Sequence, residues 1–128
     1  MSEPKWLAVE AVRAMHQHMI ARYGGLGGVR DIGLLEAALA RPRQLAAYGE
    51  PDLSELGAAY AFSILRNHPF ADGNKRTALM AVYTFLQING VELTAPEPEA
   101  VVMIFNLAGG EISEAEFVDW IRANTSTT

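Results

Sequence analysis

His68-Pro69-Phe70-Ala71-Asp72-Gly73-Asn74-Lys75-Arg76-Thr77-Ala78-Leu79 sets a base, an acid, an amide, two cations and a glycine between two apolar runs. The run before it opens at Asp52-Leu53-Ser54-Glu55, where the aspartate can accept from a free backbone N–H and the glutamate can reach back, the pattern of a capping box. It continues to Asn67 through Leu56, Ala59, Tyr60, Phe62, Ile64 and Leu65; the run after the polar stretch, Ala78 to Ile88, carries Leu79, Met80, Val82, Tyr83, Phe85 and Leu86. Both are apolar around most of a helical circumference, and such helices belong in the centre of a bundle. The polar stretch is therefore expected as a loop held between two buried helices, where packing can fix the geometry of a reactive site.

The chemistry of that loop points to phosphate. Histidine titrates in the physiological range and makes His68 a candidate general base. Asp72 is a hard oxygen ligand of the kind Mg²⁺ prefers. Gly73 and Asn74 fall at the start of the second helix, where free N–H groups and the positive end of the helix dipole favour an anion. Lys75 and Arg76 add positive charge in the same first turn, against the dipole, which suggests a bound polyanion. His68 also fits a plain helix end, since Asn67-His68-Pro69 is a sequence that stops helices; the spacing to Asp72, Asn74, Lys75 and Arg76 favours catalysis. Asn74 can serve as a helix cap while it faces phosphate. Arg66 is a candidate contact to target or phosphate beside its reading as surface charge.

Working outward, Pro4 to about Tyr23 reads as an amphipathic helix with Leu7, Val9, Val12, Met15, Met19 and Ile20 on its apolar side. His16 and His18 lie two residues apart in it, on different sides, and are read as ordinary surface or boundary histidines. Gly24 to Arg30 is a glycine-rich loop, and Asp31 caps a short helix through Leu34, Leu35, Ala38 and Leu39 that Pro42 is expected to end. Arg43 to Pro51 shows no clear period. Val91-Glu92-Leu93 is too short for more than an edge or irregular piece, a helix starts in Thr94 to Pro98 and runs to Leu107, and Ser113-Glu114-Ala115-Glu116 is a second capping box opening a last helix. Thr125 to Thr128 is expected to fray. With no long alternating segment, the expected fold is all-α: a single-domain compact helical bundle of about six helices spanning residues 1–128.

Composition narrows the function classes. The chain has no cysteine, which removes disulfides, thiol nucleophiles and cysteine zinc sites. No apolar run reaches the roughly 18 residues of a membrane span, so no membrane association and a cytoplasmic location are expected. A net charge of −5 argues against direct nucleic-acid binding, which needs an excess of Lys and Arg on one face. Seven acids against one base after Val91 outweigh that whole charge, leaving the remainder near neutral and able to gather cations around an anion.

The stretch from His68 to Arg76 resembles the signature of the Fic/Doc proteins: a histidine, a phenylalanine, an acid, then Asn-Lys-Arg or Gly-Asn-Gly-Arg. Lys75, followed by Thr77-Ala78-Leu79, resembles the death-on-curing (Doc) branch, whereas the adenylylating Fic branch has glycine at that position and a further arginine where Leu79 stands. Arg22-Tyr23-Gly24-Gly25, the segment from Gly33 to Leu39 with Arg41-Pro42, and Ala108 to Ser113 are Doc-like in order and spacing, so the likeness covers nearly the whole chain. It implies the toxin of a type II toxin–antitoxin module that phosphorylates a Thr or Ser hydroxyl of elongation factor Tu with ATP and Mg²⁺, arrests translation, and is restrained by a cognate Phd-like antitoxin. By the same resemblance His68, Asp72 and Arg76 are catalytic, Asp72 holds Mg²⁺, Gly73, Asn74, Lys75 and Arg76 cradle phosphate, Phe70 anchors the motif in the core, and a flap over the target comes from Arg43 to Pro51. A Fic-type adenylyltransferase and a catalytically silent binding module are the alternatives.

Overall fold

A computed structural model describes residues 3–127. Six helices follow one another, α1 (Val9–Tyr23), α2 (Ile32–Tyr48), α3 (Leu53–Asn67), α4 (Asn74–Ile88), α5 (Glu97–Ala108) and α6 (Glu114–Ala123), with two short strands, β1 (Val91–Leu93) and β2 (Thr125–Thr127). The protein is an all-α bundle of the kind expected, and α3 is its axis. Leu56, Ala58, Ala59, Tyr60, Ala61 and Ile64 of α3 are all but fully buried, and the helix packs against α2, α4, α5 and α6. Phe85 and Leu86 of α4, Leu35 of α2, Ile104 of α5 and Phe117 and Ile121 of α6 close the core around it.

Both capping boxes form. Asp52 accepts from the Glu55 N–H at 2.8 Å while the Glu55 carboxylate accepts from Asp52 at 3.1 Å, and Ser113 and Glu116 repeat the exchange at 3.0 and 2.8 Å. Burial works against the ionised form of Asp52, but the Glu55 N–H and the Arg122 guanidinium hold its carboxyl below the ordinary range.

Four expectations need correction. The first helix starts at Val9, not near Pro4, because residues 5–7 are drawn out by specific partners: Asn89 exchanges two hydrogen bonds with the backbone of Lys5, and the Leu7 N–H donates to the buried Tyr60 hydroxyl at 3.0 Å. Burial pushes that hydroxyl's pKa up. Pro42 does not end α2 but is buried within it, and the helix runs six residues further. An interior proline costs about 3 kcal/mol through its missing N–H and ring clash. Packing of Pro42 and Ala46 on the core, and a two-pronged Arg41–Glu114 pair at 2.7 and 2.8 Å that ties α2 to α6, oppose that loss. The flap expected over Arg43 to Pro51 is therefore largely helix. It leads into the Asp52 end of α3, about 22 Å along that helix from His68 at 1.5 Å per residue. Finally, Thr125–Thr127 is not frayed: it pairs antiparallel with β1, Val91 opposite Thr127 and Leu93 opposite Thr125, and Thr128 lies outside the described residues.

Among the described residues no helix is long and apolar enough to cross a membrane.

Candidate functional site

α3 stops because His68 turns left-handed, φ 50° and ψ 54°, the one non-glycine residue with positive φ among those described. Its N–H still reaches the Ile64 carbonyl at 3.0 Å. The last two carbonyls, of Asn67 and His68, accept from Nη2 and Nε of Arg30 at 3.0 and 2.8 Å, a cation placed at the negative end of the helix. Arg30 belongs to the glycine-rich segment, which runs beside the polar loop: Pro69 accepts from the N–H groups of Arg30 and Asp31, Ala71 donates to Gly28, and Val29 bridges Phe70 antiparallel. The element that flanks the loop is thus residues 24–31, the place the sequence left as a plain turn.

Within the loop, Asn74 holds the turn closed. Its Oδ1 accepts from the Phe70 N–H at 3.1 Å, and its Nδ2 donates to the Phe70 carbonyl at 3.0 Å and lies 3.1 Å from His68 Nδ1. Both amide hydrogens are then committed, and the buried side chain has none left for an anion. What Asn74 has to offer a ligand is its backbone N–H at the start of α4. Phe70 is fully buried, with its ring stacked 3.9 Å from that of His16 at an interplanar angle of 7°.

α4 begins at left-handed Gly73, φ 77°, and no described side chain caps it. Its leading N–H groups are left to a ligand or to water. Asp72 stands next to them with its carboxylate exposed; Oδ1 accepts from the Gly73 N–H at 2.8 Å, and Oδ2 from the Leu26 N–H at 3.3 Å. Lys75 rests its ammonium 5.1 Å over the Phe105 ring, and the Arg76 guanidinium lies 3.9 Å over Tyr23. The described ion pairs involve Arg41 and Arg122 alone, so both cations of the loop are free of carboxylates.

These parts line one cleft of about 230 Å³, with His68, Asp72, Gly73, Asn74, Lys75 and Arg76 on one side and Met19, Ile20, Tyr23, Gly24 and Phe105 on the other. Six of the residues singled out in the sequence meet there, and Phe70 supports them from behind. Arg66 does not join them: it lies 5.4 Å over Phe62 and faces a separate cavity between α2 and α3. His16, read as a surface or boundary residue, is 2 % exposed, and its Nε2 lies 2.7 Å from the Asp72 carbonyl. A signal for it was present, since Val12, His16 and Met19 share the buried face of α1 at helical spacing.

No group of three or more histidine and carboxylate side chains is gathered among the described residues. One carboxylate beside an open helix N-terminus suits Mg²⁺, which keeps several waters and is held chiefly by substrate phosphates with one or two protein carboxylates.

A model of the Fic/DOC family matches residues 6–86. The chain is 40% identical over 117 residues to "Protein kinase doc" of Escherichia phage P1, covering 91% of this chain and 92% of that protein. It is 54% identical over 76 residues to "Toxin Doc" of Mycolicibacterium smegmatis, covering 57% and 58% of the two.

Proposed function

The chain belongs to the Fic/Doc family, in its Doc branch, and from that premise we propose that residues 1–128 act as one domain, the toxin of a toxin–antitoxin pair and an ATP-dependent protein kinase. The observation that carries this reading is the convergence in one cleft of His68, the Asp72 carboxylate and the uncapped start of α4 with two carboxylate-free cations.

Phosphoryl transfer asks an enzyme mainly for positioning and for neutralisation of charge. The N–H groups that open α4 would receive the phosphates of ATP, and Lys75 and Arg76 would swing from their aromatic rests to pair with them. Asp72 would hold Mg²⁺, which neutralises phosphate charge when bound. The oxygen of a Thr or Ser hydroxyl on the target attacks the γ-phosphorus, the bond from that phosphorus to the β-bridging oxygen breaks, and ADP leaves with the electron pair. The hydroxyl proton passes to His68. In the resting arrangement Asn74 donates to His68 Nδ1, so the neutral ring carries its hydrogen on Nε2. His68 gains a free acceptor nitrogen only when that 3.1 Å contact opens, which makes the contact a resting latch on the base.

By family resemblance the target is elongation factor Tu in the cytoplasm, and the restraint is a Phd-like antitoxin. Lys75 adds bulk and charge where the adenylylating branch leaves bare backbone, which favours presenting the γ-phosphate to the target. The test supplies ATP labelled at the α- or γ-phosphate and weighs the product: a gain of about 80 Da on the target marks phosphoryl transfer and about 329 Da marks AMP transfer. The first is expected, and the second would overturn the kinase reading.

A further inference from the structure

His16 is a buried titratable side chain that the mechanism above does not use. It lies on α1, 56 residues from the loop it touches, and makes three contacts there. Nε2 is 2.7 Å from the Asp72 backbone carbonyl. The ring stacks on Phe70. Its edge also lies under Gly73, close enough that a Cβ built there would sit 3.6 Å from Cδ2 and Nε2. A carbonyl only accepts, so Nε2 must carry a hydrogen, and the bond holds whether the ring is neutral or charged.

The Asp72 carbonyl belongs to the Asp72–Gly73 peptide. On one side of that peptide is the carboxylate that faces the cleft; on the other is the left-handed glycine that opens α4. We propose that His16 is a positioning residue for the phosphate site: by gripping this one carbonyl from beneath, it sets both the direction of the Asp72 carboxylate and the aim of the first N–H groups of α4. Asn74 closes the loop at Phe70 and His68, but no bond of its side chain reaches residues 72–73. Ile20 also packs against Gly73, but without His16 the described side-chain hydrogen bonds to the Asp72–Gly73 backbone reduce to the one from the Gly73 N–H to Asp72's own carboxylate. Shape alone would not do: a phenylalanine keeps the stack on Phe70 and lacks the donor, while a glutamine places an amide N–H about where Nε2 stands and lacks the ring.

This inference rests on the kinase reading for its activity readout and is independent of it for its structural one. His16→Phe and His16→Gln are compared with the parent chain in transfer from ATP, in nucleotide affinity by calorimetry, and in amide hydrogen exchange over residues 70–77. His16→Phe should lose about 10²-fold in kcat/KM, the scale of a displacement near 1 Å in a reacting site, and should exchange faster at Gly73 and Thr77, whose amides donate to Asp72 Oδ1 and to the Gly73 carbonyl, while Tm is nearly kept. His16→Gln should recover most of both. Equal losses in the two variants, or unchanged exchange in His16→Phe, would overturn the proposal. If the parent chain transfers nothing but the exchange contrast holds, the kinase reading fails and the positioning role stands. Should His16→Phe not fold, ¹⁵N spectra of the parent decide: an Nε2–H at His16 protected from solvent is expected, and a rapidly exchanging one refutes the bond.

Discussion

Replacing His68 by glycine and by alanine separates what its backbone costs from what its side chain does. Both substitutions delete the imidazole and its contact with Asn74, so both should abolish transfer, by about 10²–10⁴-fold if base catalysis is the main term. They differ in the backbone. His68 sits at φ 50° and ψ 54°, where a residue with a Cβ is strained by about 1–2 kcal/mol. Alanine keeps that strain and glycine relieves it, while the greater freedom of glycine in the unfolded chain takes back about 0.5–1 kcal/mol. The glycine variant should therefore be the more stable of the two by about 1 kcal/mol, which for a chain of this size is a Tm difference of about 3–5 °C. Thermal melts followed by circular dichroism, with transfer measured on the same samples, make the comparison. An alanine variant as stable as the glycine variant would mean that position 68 is not left-handed in solution. The placement of the imidazole argued above would then fall with it. A confirmed difference means that a strained, non-glycine residue is retained where glycine would be more stable, as expected when its side chain has work to do.

Two further substitutions probe the loop and the frame. A Cβ at Gly25 would lie 2.7 Å from Asp72 Oδ2 on a backbone with φ +116°, so Gly25→Ala should displace the Asp72 carboxylate, lower transfer by about 10²-fold and raise the Mg²⁺ concentration for half-maximal rate; Gly27→Ala, with nothing within 4 Å and no positive φ, is the control and should behave as the parent. Asp52→Asn keeps a good helix cap and removes the charge that Arg122 holds. Because the folded carboxyl is held below the ordinary value near 3.8, the charge stabilises the fold above that pH and is lost as pH falls through the lower folded value. The stability gap between parent and variant, about 0.5 kcal/mol for an exposed pair, should be level from pH 5 to 7 and close on further acidification. A gap that is the same at pH 3 and pH 7 would assign it to the cap rather than the charge.

What could be read from the sequence and what could not divides along chain distance. The capping boxes at Asp52–Glu55 and Ser113–Glu116 each involve residues three apart, so the local pattern contains the whole interaction. The cleft was legible for a related reason: His68, Asp72, Gly73, Asn74, Lys75 and Arg76 fall within nine residues, and a tight turn between two buried helices leaves them few ways to face apart. Pro42 failed because local propensity argues for a stop, while what opposes it is tertiary: burial of the helix on the core and the pair from Arg41 to Glu114, 73 residues away. The flanking element was misassigned because Val29 opposite Phe70, Gly28 against Ala71 and Arg30 on the end of α3 are pairings at 37 to 43 residues' separation, made mostly by backbone atoms that carry no residue-type signal. His16 is the instructive case, since its spacing with Val12 and Met19 placed it on the buried face of α1. A polar residue on an apolar stripe must find a partner or lose stability. The partner is a main-chain carbonyl, which no motif records. The residues that make this site are therefore legible by their chemistry, and those that hold it in place only by asking of each buried polar side chain where its hydrogen bond goes.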